Sequence, residues 1–290
     1  MVPLPLLRSV LILPGSRPEF LAKAGAAGAD AVVIDLEDSV APQAKPAARQ
    51  LVAAALRARD GMLTFVRFNH PGAGMLRDDL SVLAPHAFQG VMLPKIESVD
   101  EVRALDDALL GFERANGLAA HAISVLVIIE SSRGLRRLFD IACASPRVRG
   151  ACLATAEEGD LMHDIGGRWT PDGRALTYAR GKFVCDARAA GMIWLLDGAF
   201  MNLGSPEALD AESQIARIHG FTGKTAIHPR QVEVINAVFS PSAAEVERAR
   251  RLLDAFQAAE RSGVGAVRFE GMMVDAANAK MAERIIAMAR

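Results

Sequence analysis

The stretch Val125-Leu-Val-Ile-Ile-Glu130 joins five consecutive apolar residues to a single carboxylate. Such a run lacks the polar alternation of a half-exposed strand and is typical of a parallel strand that is covered on both faces. Seven further short runs, separated by Ala- and Leu-rich helical patterns, complete a set of eight candidate strands, at residues 9–13, 31–36, 63–68, 90–93, 123–129, 150–154, 193–196 and 224–227. Eight successive βα units predict an α/β fold of the (β/α)8 TIM-barrel type.

An open doubly wound sheet is the main alternative to the barrel, but it usually has fewer strands and a Gly-rich dinucleotide loop, which this chain lacks. Helical patterns continue past the eighth strand, from about Gln231, from Ala243 to about Arg261 and from about Ala276. The Gly-rich residues 262–266 precede the last helix and suggest a hinge. We therefore expect a TIM-barrel catalytic domain at residues 1–240 and additional C-terminal helices forming a lid at residues 241–290.

The charge balance of the chain argues against nucleic acid and membrane surfaces as partners. The 33 Lys and Arg residues balance 34 Asp and Glu residues, so no global field draws the chain to nucleic acid or to an anionic membrane. No apolar run approaches the roughly 20 residues of a membrane span, and no basic segment precedes the first apolar one, so we expect a cytoplasmic protein. Cys143, Cys152 and Cys185 form no Cys-x-x-Cys pair, and we expect them to be small core residues.

Polar residues follow the strands at the end where such barrels build their active sites. In chain order these residues are Ser16, Arg17, Glu37, Asp38, Arg67, Asn69, Lys95, Glu97, Glu130, Asp160, Asp197 and His228. Three of them, Glu37, Arg67 and Glu130, directly adjoin apolar strands, where a charged group is partly desolvated and needs a partner. That placement favours a functional role.

Two carboxylates suggest a metal site. Glu130 follows the fifth strand and Asp160 the sixth, so the two can converge on Mg²⁺ or Mn²⁺, which prefer oxygen ligands and retain water. In the alternative, Glu130 pairs with Arg133 or Arg67 and Asp160 caps the following turn.

Three basic side chains are candidates for binding substrate. Arg67 can bind a carboxylate or stabilise an oxyanion, and it can also pair with Glu37. Arg17 lies before the helix predicted to start at Pro18, where a phosphate or carboxylate would find a cation and free N–H groups, although simple helix capping is the alternative. His228 can contact a ligand, but a histidine at a strand end is more often structural.

Several motifs together resemble the citrate lyase β-subunit and malyl-CoA lyase group of the HpcH/HpaI aldolase superfamily. They extend over nearly the whole chain: Leu-Pro-Gly-Ser-Arg-Pro-Glu from Leu13, Val-Ile-Asp-Leu-Glu-Asp-Ser-Val from Val33 with Lys45 and Arg49 after it, Val-Arg-Phe-Asn from Val66, Leu-Pro-Lys-Ile-Glu from Leu93, Ile-Ile-Glu-Ser from Ile128, Asp-Leu-Met-His-Asp-Ile-Gly-Gly from Asp160, Gly-Phe-Thr-Gly-Lys-Thr-Ala-Ile-His-Pro-Arg-Gln from Gly220 and Gly-Met-Met-Val-Asp from Gly271.

The resemblance implies a (β/α)8 barrel with Mg²⁺ held by Glu130 and Asp160. One segment departs from the family pattern, which usually has a Gly-Ala-Glu-Asp type sequence before the second ligand. Here Ala154-Thr-Ala-Glu-Glu-Gly-Asp160 is longer and contains three acids, so Glu157 and Glu158 are possible substitutes for Asp160.

The resemblance also implies roles for four other residues. Arg67 would bind the acyl or enolate oxygen, and Glu37 and Asp38 would orient metal-bound waters and substrate. Asp275 would enter a neighbouring subunit's site on the C-terminal lid, in a homotrimer or hexamer.

Together with the charged residues at the strand ends, this resemblance implies a Mg²⁺-dependent carbon–carbon lyase. Its substrate would be a 3-hydroxyacyl thioester bearing a carboxylate, such as a malyl, citramalyl or citryl group on CoA or a carrier protein, cleaved to a 2-oxo acid and an acyl thioester. Two alternatives are a class II pyruvate-type aldolase that acts on free hydroxy-oxo acids and a non-catalytic subunit that binds an acyl carrier.

Overall fold

A computed structural model describes residues 5–57, 63–83 and 90–289. Eight parallel strands form a closed barrel in chain order: β1 (Ser9–Pro14), β2 (Ala31–Asp35), β3 (Thr64–Arg67), β4 (Gly90–Leu93), β5 (Ser124–Ile129), β6 (Val148–Leu153), β7 (Trp194–Asp197) and β8 (Gly223–Ala226). Closure comes from the pairing of β8 with β1, where Ser9 lies opposite Lys224. The predicted (β/α)8 barrel is confirmed, with strand ends that differ from the predicted ones by at most two residues.

Helices connect the strands around the outside of the barrel, as the Ala- and Leu-rich segments predicted. They are α1 (Pro18–Lys23), α2 (Lys45–Arg57), α3 (Leu76–Leu80), α4 (Val99–Ala115), α5 (Ser132–Arg136), α6 (Leu138–Cys143), α7 (Asp160–Ile165), α8 (Thr177–Ala189), α9 (Pro206–His219) and α10 (Pro229–Phe239). In each of the described segments, the helices are too short or too polar to cross a lipid bilayer.

Apolar side chains fill the barrel interior. Phe65 of β3 meets Trp194 of β7 edge-to-face, with ring centroids 5.7 Å apart. Gly90 makes room for the Phe65 ring, because a Cβ there would lie 2.6 Å from Cε1 of Phe65. A Cβ on Gly150 would lie 2.4 Å from the carbonyl oxygen of Trp194. The close approach of the Phe65 ring and of the Trp194 backbone thus requires glycine at these two positions.

Of the three cysteines, only Cys152 on β6 is buried. Cys143 ends α6 and Cys185 lies on α8, and both are exposed, so their predicted place in the core is wrong. A helix outside the barrel buries one face only, and these two positions fall on the face turned to solvent.

The described chain divides into two compact units, at residues 1–237 and 238–290. The second unit contains α11 (Ala243–Arg261), a hairpin of β9 (Val267–Phe269) with β10 (Met272–Val274), and α12 (Ala276–Met288). Its core includes Leu252 and Phe256 of α11 together with Val274. The additional helices are confirmed, while the lid role of residues 241–290 stays a prediction.

The sequence did not predict this hairpin, because each of its strands has only three residues. Glu270 and Gly271 form its turn and both adopt positive φ, 46° and 85°. A non-Gly residue in that conformation gives a weaker sequence signal than Asn-Gly or Asp-Gly.

Two glycine substitutions test whether the barrel interior is as tightly packed as described. Gly150→Ala should lower the free energy of unfolding by about 1–3 kcal/mol, because the new methyl group overlaps Trp194. Gly111→Ala is the matched control: Gly111 is exposed on α4 with open space around it, so the same change should stabilise by roughly 0.5–1 kcal/mol. Urea unfolding measures both, and equal effects would contradict the packing.

Candidate active site at the C-terminal mouth of the barrel

Charged side chains from five consecutive strands or the loops after them meet at the carboxyl end of the barrel. Asp35 ends β2, Arg67 ends β3, Lys95 follows β4, Glu130 follows β5 and Asp160 follows β6. Parallel strands place their carboxyl ends at the same edge, so residues far apart in the chain come together there.

Arg67 is held by two carboxylates. Its Nε donates to Asp35 Oδ1 at 2.6 Å and its Nη2 donates to Asp35 Oδ2 at 2.7 Å, across neighbouring strands in register. Its Nη1 lies 3.3 Å from Glu37 Oε2. The predicted pairing of Arg67 with Glu37 is therefore present, but the stronger, bidentate partner is Asp35.

Asp35 is a site residue that sequence reasoning missed. It is fully buried; burial alone would raise the pKa of its carboxyl group, but the hydrogen bonds and charge of Arg67 hold that pKa below its usual value. Its oxygens also accept from the backbone N–H groups of Glu37 and Ser39, each at 2.9 Å. The available signal was an aspartate inside an otherwise apolar strand.

Lys95 lies among the carboxylates. Its Nζ is 2.9 Å from Glu37 Oε1, 2.8 Å from Asp38 Oδ2 and 3.8 Å from Asp160 Oδ2. Burial alone would lower the pKa of this ammonium, but the hydrogen bonds to Asp38 and Glu37 raise it, so Lys95 is a permanent cation. The site therefore combines two fixed cations, Arg67 and Lys95, with several carboxylates.

Glu130 has the most perturbed carboxyl group of the cluster. Burial, followed by the negative charge of Glu37, raises its pKa to about 7. Its Oε1 accepts the backbone N–H of Lys95 at 3.2 Å. Arg133 pairs with Glu97 at 3.1 Å, so the alternative in which Arg133 neutralises Glu130 does not describe this structure.

Asp160 is the first residue of α7 and is 58% exposed. It lines a cavity of about 400 Å³ at the mouth together with Asp38, Arg67 and Glu130. Glu157 and Glu158, the possible substitutes, line a separate cavity beside Trp169. The geometry therefore favours Asp160 as the acid that shares a space with Glu130.

Hydrogen bonds tie the loop that carries Glu130 to its neighbours on both sides. Ser131 Oγ donates to Glu97 Oε1 at 2.7 Å, and the backbone N–H of Ser132 donates to Asp164 Oδ2 at 2.6 Å. Asp164 lies one helical turn after Asp160 on α7. The Ser132 contact therefore connects the two elements that carry the predicted metal ligands.

Asp197, another of the polar residues that follow the strands, is not at the mouth. It is fully buried between barrel and helices, where Lys224 Nζ lies 2.8 Å from its Oδ2 and Arg180 Nε 3.3 Å from its Oδ1. Its Oδ1 also accepts from Thr155 Oγ1 at 3.0 Å, which holds the start of the loop that leads to Asp160. This residue supports the site without lining the cavity.

The remaining predicted site residues have other partners. Arg17 is exposed, lies 3.3 Å from Glu19 and stacks near the ring of Phe20. His228 Nδ1 accepts the backbone N–H of Arg230 at 3.1 Å, as the structural alternative supposes. In the second compact unit, Asp275 is the N-cap of α12, and its Oδ1 accepts from the N–H of Ala277 at 2.9 Å. The structure does not test their proposed contacts with substrate.

The donor set at the mouth suits a hard divalent cation. Within the described ranges, no three His, Cys, Asp or Glu side chains are arranged as a complete protein metal cage. Mg²⁺ does not need one, since it binds through one or two carboxylates and keeps water and substrate oxygens as its other ligands. The raised pKa of Glu130, which burial and the charge of Glu37 cause, indicates a carboxylate that a further cation would stabilise in its ionised form.

Comparison with known proteins gives consistent results. A family model described as HpcH/HpaI aldolase/citrate lyase matches residues 8–229, and one described as a carbon–carbon bond lyase of the TIM-barrel fold matches residues 186–290. The chain is 32% identical to a citrate lyase subunit beta of Leuconostoc mesenteroides subsp. cremoris, and the match covers 97% of this chain and 93% of that protein.

Two further relatives extend the comparison. A (3S)-malyl-CoA thioesterase of Cereibacter sphaeroides is 34% identical, with 97% of this chain and 94% of that protein covered. The crystal structure of CitE from Mycobacterium tuberculosis in complex with magnesium, acetoacetate and coenzyme A is 34% identical, superposes with a TM-score of 0.79 and covers 98% of each chain. By sequence and by fold, the chain belongs to the HpcH/HpaI aldolase/citrate lyase family of TIM-barrel carbon–carbon lyases.

Proposed function

We propose that the chain is a Mg²⁺-dependent lyase that cleaves, or forms, the carbon–carbon bond of a 3-hydroxyacyl-CoA thioester bearing a carboxylate. The observation that carries the proposal is that Glu130, Asp160 and Arg67 line the same cavity at the mouth of the barrel. Relatives named as citrate lyase subunit beta and as L-malyl-CoA/beta-methylmalyl-CoA lyase support this substrate class.

Glu130 and Asp160 would hold the cation. Mg²⁺ bound there supplies a Lewis acid, which polarises substrate oxygens and lowers the pKa of a nearby hydroxyl group. Structures named as magnesium complexes of CitE from Mycobacterium tuberculosis support this choice of metal.

Arg67 would stabilise the enolate. Cleavage moves the electron pair of the carbon–carbon bond onto the thioester, whose oxygen becomes negative while the hydroxyl carbon becomes the carbonyl of a 2-oxo acid. A guanidinium held by Asp35 and Glu37 is preorganised for that charge and needs little rearrangement during the reaction.

Proton transfers need a base at the hydroxyl group and an acid at the enolate carbon. Glu37 would be the base at the hydroxyl group, because its Oε2 is buried without a hydrogen-bond partner and burial raises the pKa of its carboxyl group. Asp38, exposed beside it, would orient substrate and water. Asp275 from a neighbouring subunit of a trimer or hexamer would protonate the enolate carbon.

The first experiment is a cleavage assay with malyl-, citramalyl- and citryl-CoA in the presence of Mg²⁺. We expect release of a 2-oxo acid from at least one thioester, loss of turnover in Glu130→Ala, and a drop in kcat of about 10²–10³-fold in Arg67→Met. Glu97→Gln is the control, because it removes a carboxylate outside the cavity lining while its amide oxygen can still accept from Ser131 Oγ.

The products distinguish the alternatives. Release of free CoA and intact hydroxy acid would indicate a thioesterase, an outcome raised by the relatives of that name. Cleavage of free hydroxy-oxo acids alone would indicate the class II aldolase. Inactivity on every substrate, together with stable binding of an acyl carrier, would indicate the non-catalytic subunit.

Metal binding should depend on pH through Glu130. Because its pKa is raised to about 7, Glu130 is protonated at lower pH and then cannot bind the cation as a carboxylate. We expect the Kd for Mg²⁺ to weaken about tenfold per pH unit below about pH 7 and to level off above about pH 8. Calorimetric titration measures this, with Glu97→Gln as a control that should keep the profile. A flat profile across this range would contradict the assignment.

Asp275 can be tested without disturbing the helix that it caps. Asn is as good an N-cap as Asp, so Asp275→Asn should keep the melting temperature while losing the acid–base group. We expect kcat to fall by about 10²–10⁴-fold. Exchange of the product thioester's α-protons in D₂O, followed by NMR, should be lost in parallel. Full activity of the variant would exclude Asp275 from proton transfer.

A further inference from the structure

Lys95 contacts four acidic side chains at the mouth of the barrel. Its Nζ lies within ion-pair distance of Glu37, Asp38 and Asp160, and its backbone N–H donates to Glu130. A single residue therefore contacts both proposed metal ligands and both of the acids beside them.

Its backbone conformation makes this double contact possible. Lys95 has φ of 55°, in the left-handed region that residues other than Gly, Asn and Asp seldom adopt. Strained conformations of this kind cluster at functional sites. Here the left-handed turn directs the amide toward Glu130 while the side chain reaches the carboxylates that follow β2 and β6.

Charge explains why a lysine occupies the centre of this group. Four carboxylates at one mouth repel one another, and Arg67 is already engaged by Asp35 and Glu37. The Lys95 ammonium supplies a unit positive charge against the same oxygens that a divalent cation would need. Two cations cannot occupy one set of oxygens without strong repulsion.

We propose that the Lys95 ammonium is an internal counter-cation that competes with the divalent metal for Asp160 and its neighbouring carboxylates, and so sets the metal affinity of the site. The inference rests on the metal site of the proposed function. Metal entry would require Nζ to give up Asp160 and move outward, where Asp38, 61% exposed, can still hold it.

The competition predicts the direction of the effect. Without the ammonium, the cation no longer meets a positive charge at close range, and the carboxylates are left with uncompensated repulsion that the cation relieves. Both contributions make metal binding tighter. A lysine that merely shaped the site would, on removal, make binding weaker.

The test is calorimetric titration of Mg²⁺ into the full-length protein at about pH 8.5, where Glu130 is ionised. Lys95→Met should bind at least about tenfold more tightly than the wild type, a difference that corresponds to about 1.4 kcal/mol. Lys95→Arg keeps the charge and should bind like the wild type. Lys182→Met is the matched control, because it removes the same charge from an ion pair with Asp186 on α8.

A second readout is thermal stability with chelator and with Mg²⁺. Lys95→Met should melt at a lower temperature than the wild type in chelator and gain more from Mg²⁺, because the metal replaces the missing cation. If Lys95→Met does not fold, Lys95→Asn replaces it, since Asn is also neutral and tolerates the left-handed conformation.

The outcomes separate the two proposals. Wild-type binding of Mg²⁺ with unchanged or weaker binding in the neutral variants would overturn the competition and leave the lyase intact. Absence of Mg²⁺ binding in wild type and variants alike would overturn the metal site itself, and the competition with it.

Discussion

The bidentate pair between Asp35 and Arg67 is the interaction on which the site depends. It joins the ends of two neighbouring strands, and Asp35 also accepts the N–H groups of Glu37 and Ser39, so one buried carboxylate orients both the Arg67 guanidinium and the loop beside it. Removing one partner of such a buried pair costs roughly 3–5 kcal/mol, because the other charge stays buried alone. An ion pair, and not apolar packing, thus fixes the positions of Arg67 and of the loop after β2 at the mouth of the barrel.

Contacts outside the cavity keep the remaining loops in place. Lys45 donates to the carbonyl oxygens of Leu36 and Glu37, and Asp164 accepts the N–H of Ser132. None of these groups is a proposed reacting group. They set the positions of the loops that carry Glu37 and the proposed metal ligands, and misplacement of a ligand by about 1 Å can cost 10²-fold in rate.

Electrostatic balance accounts for the unusual properties of the mouth. Glu130 is buried near other acids, so its pKa rises to about 7, while Lys95 and Arg67 stay protonated because acids surround them. The proposed metal affinity, its dependence on pH and the position of the Lys95 ammonium therefore all follow from the same arrangement of charges.

The sequence by itself determined the barrel, because apolar runs separated by helical patterns indicate parallel strands covered on both faces, and eight such units are the number that closes a barrel. It also placed Glu37, Arg67, Glu130 and Asp160 at the strand ends, since chain order is enough for that. Only the tertiary structure decided that Asp35 is the main partner of Arg67 and that Lys95 reaches the carboxylates around it. Ion-pair partners depend on register between strands and on a left-handed backbone turn, and local sequence patterns encode neither.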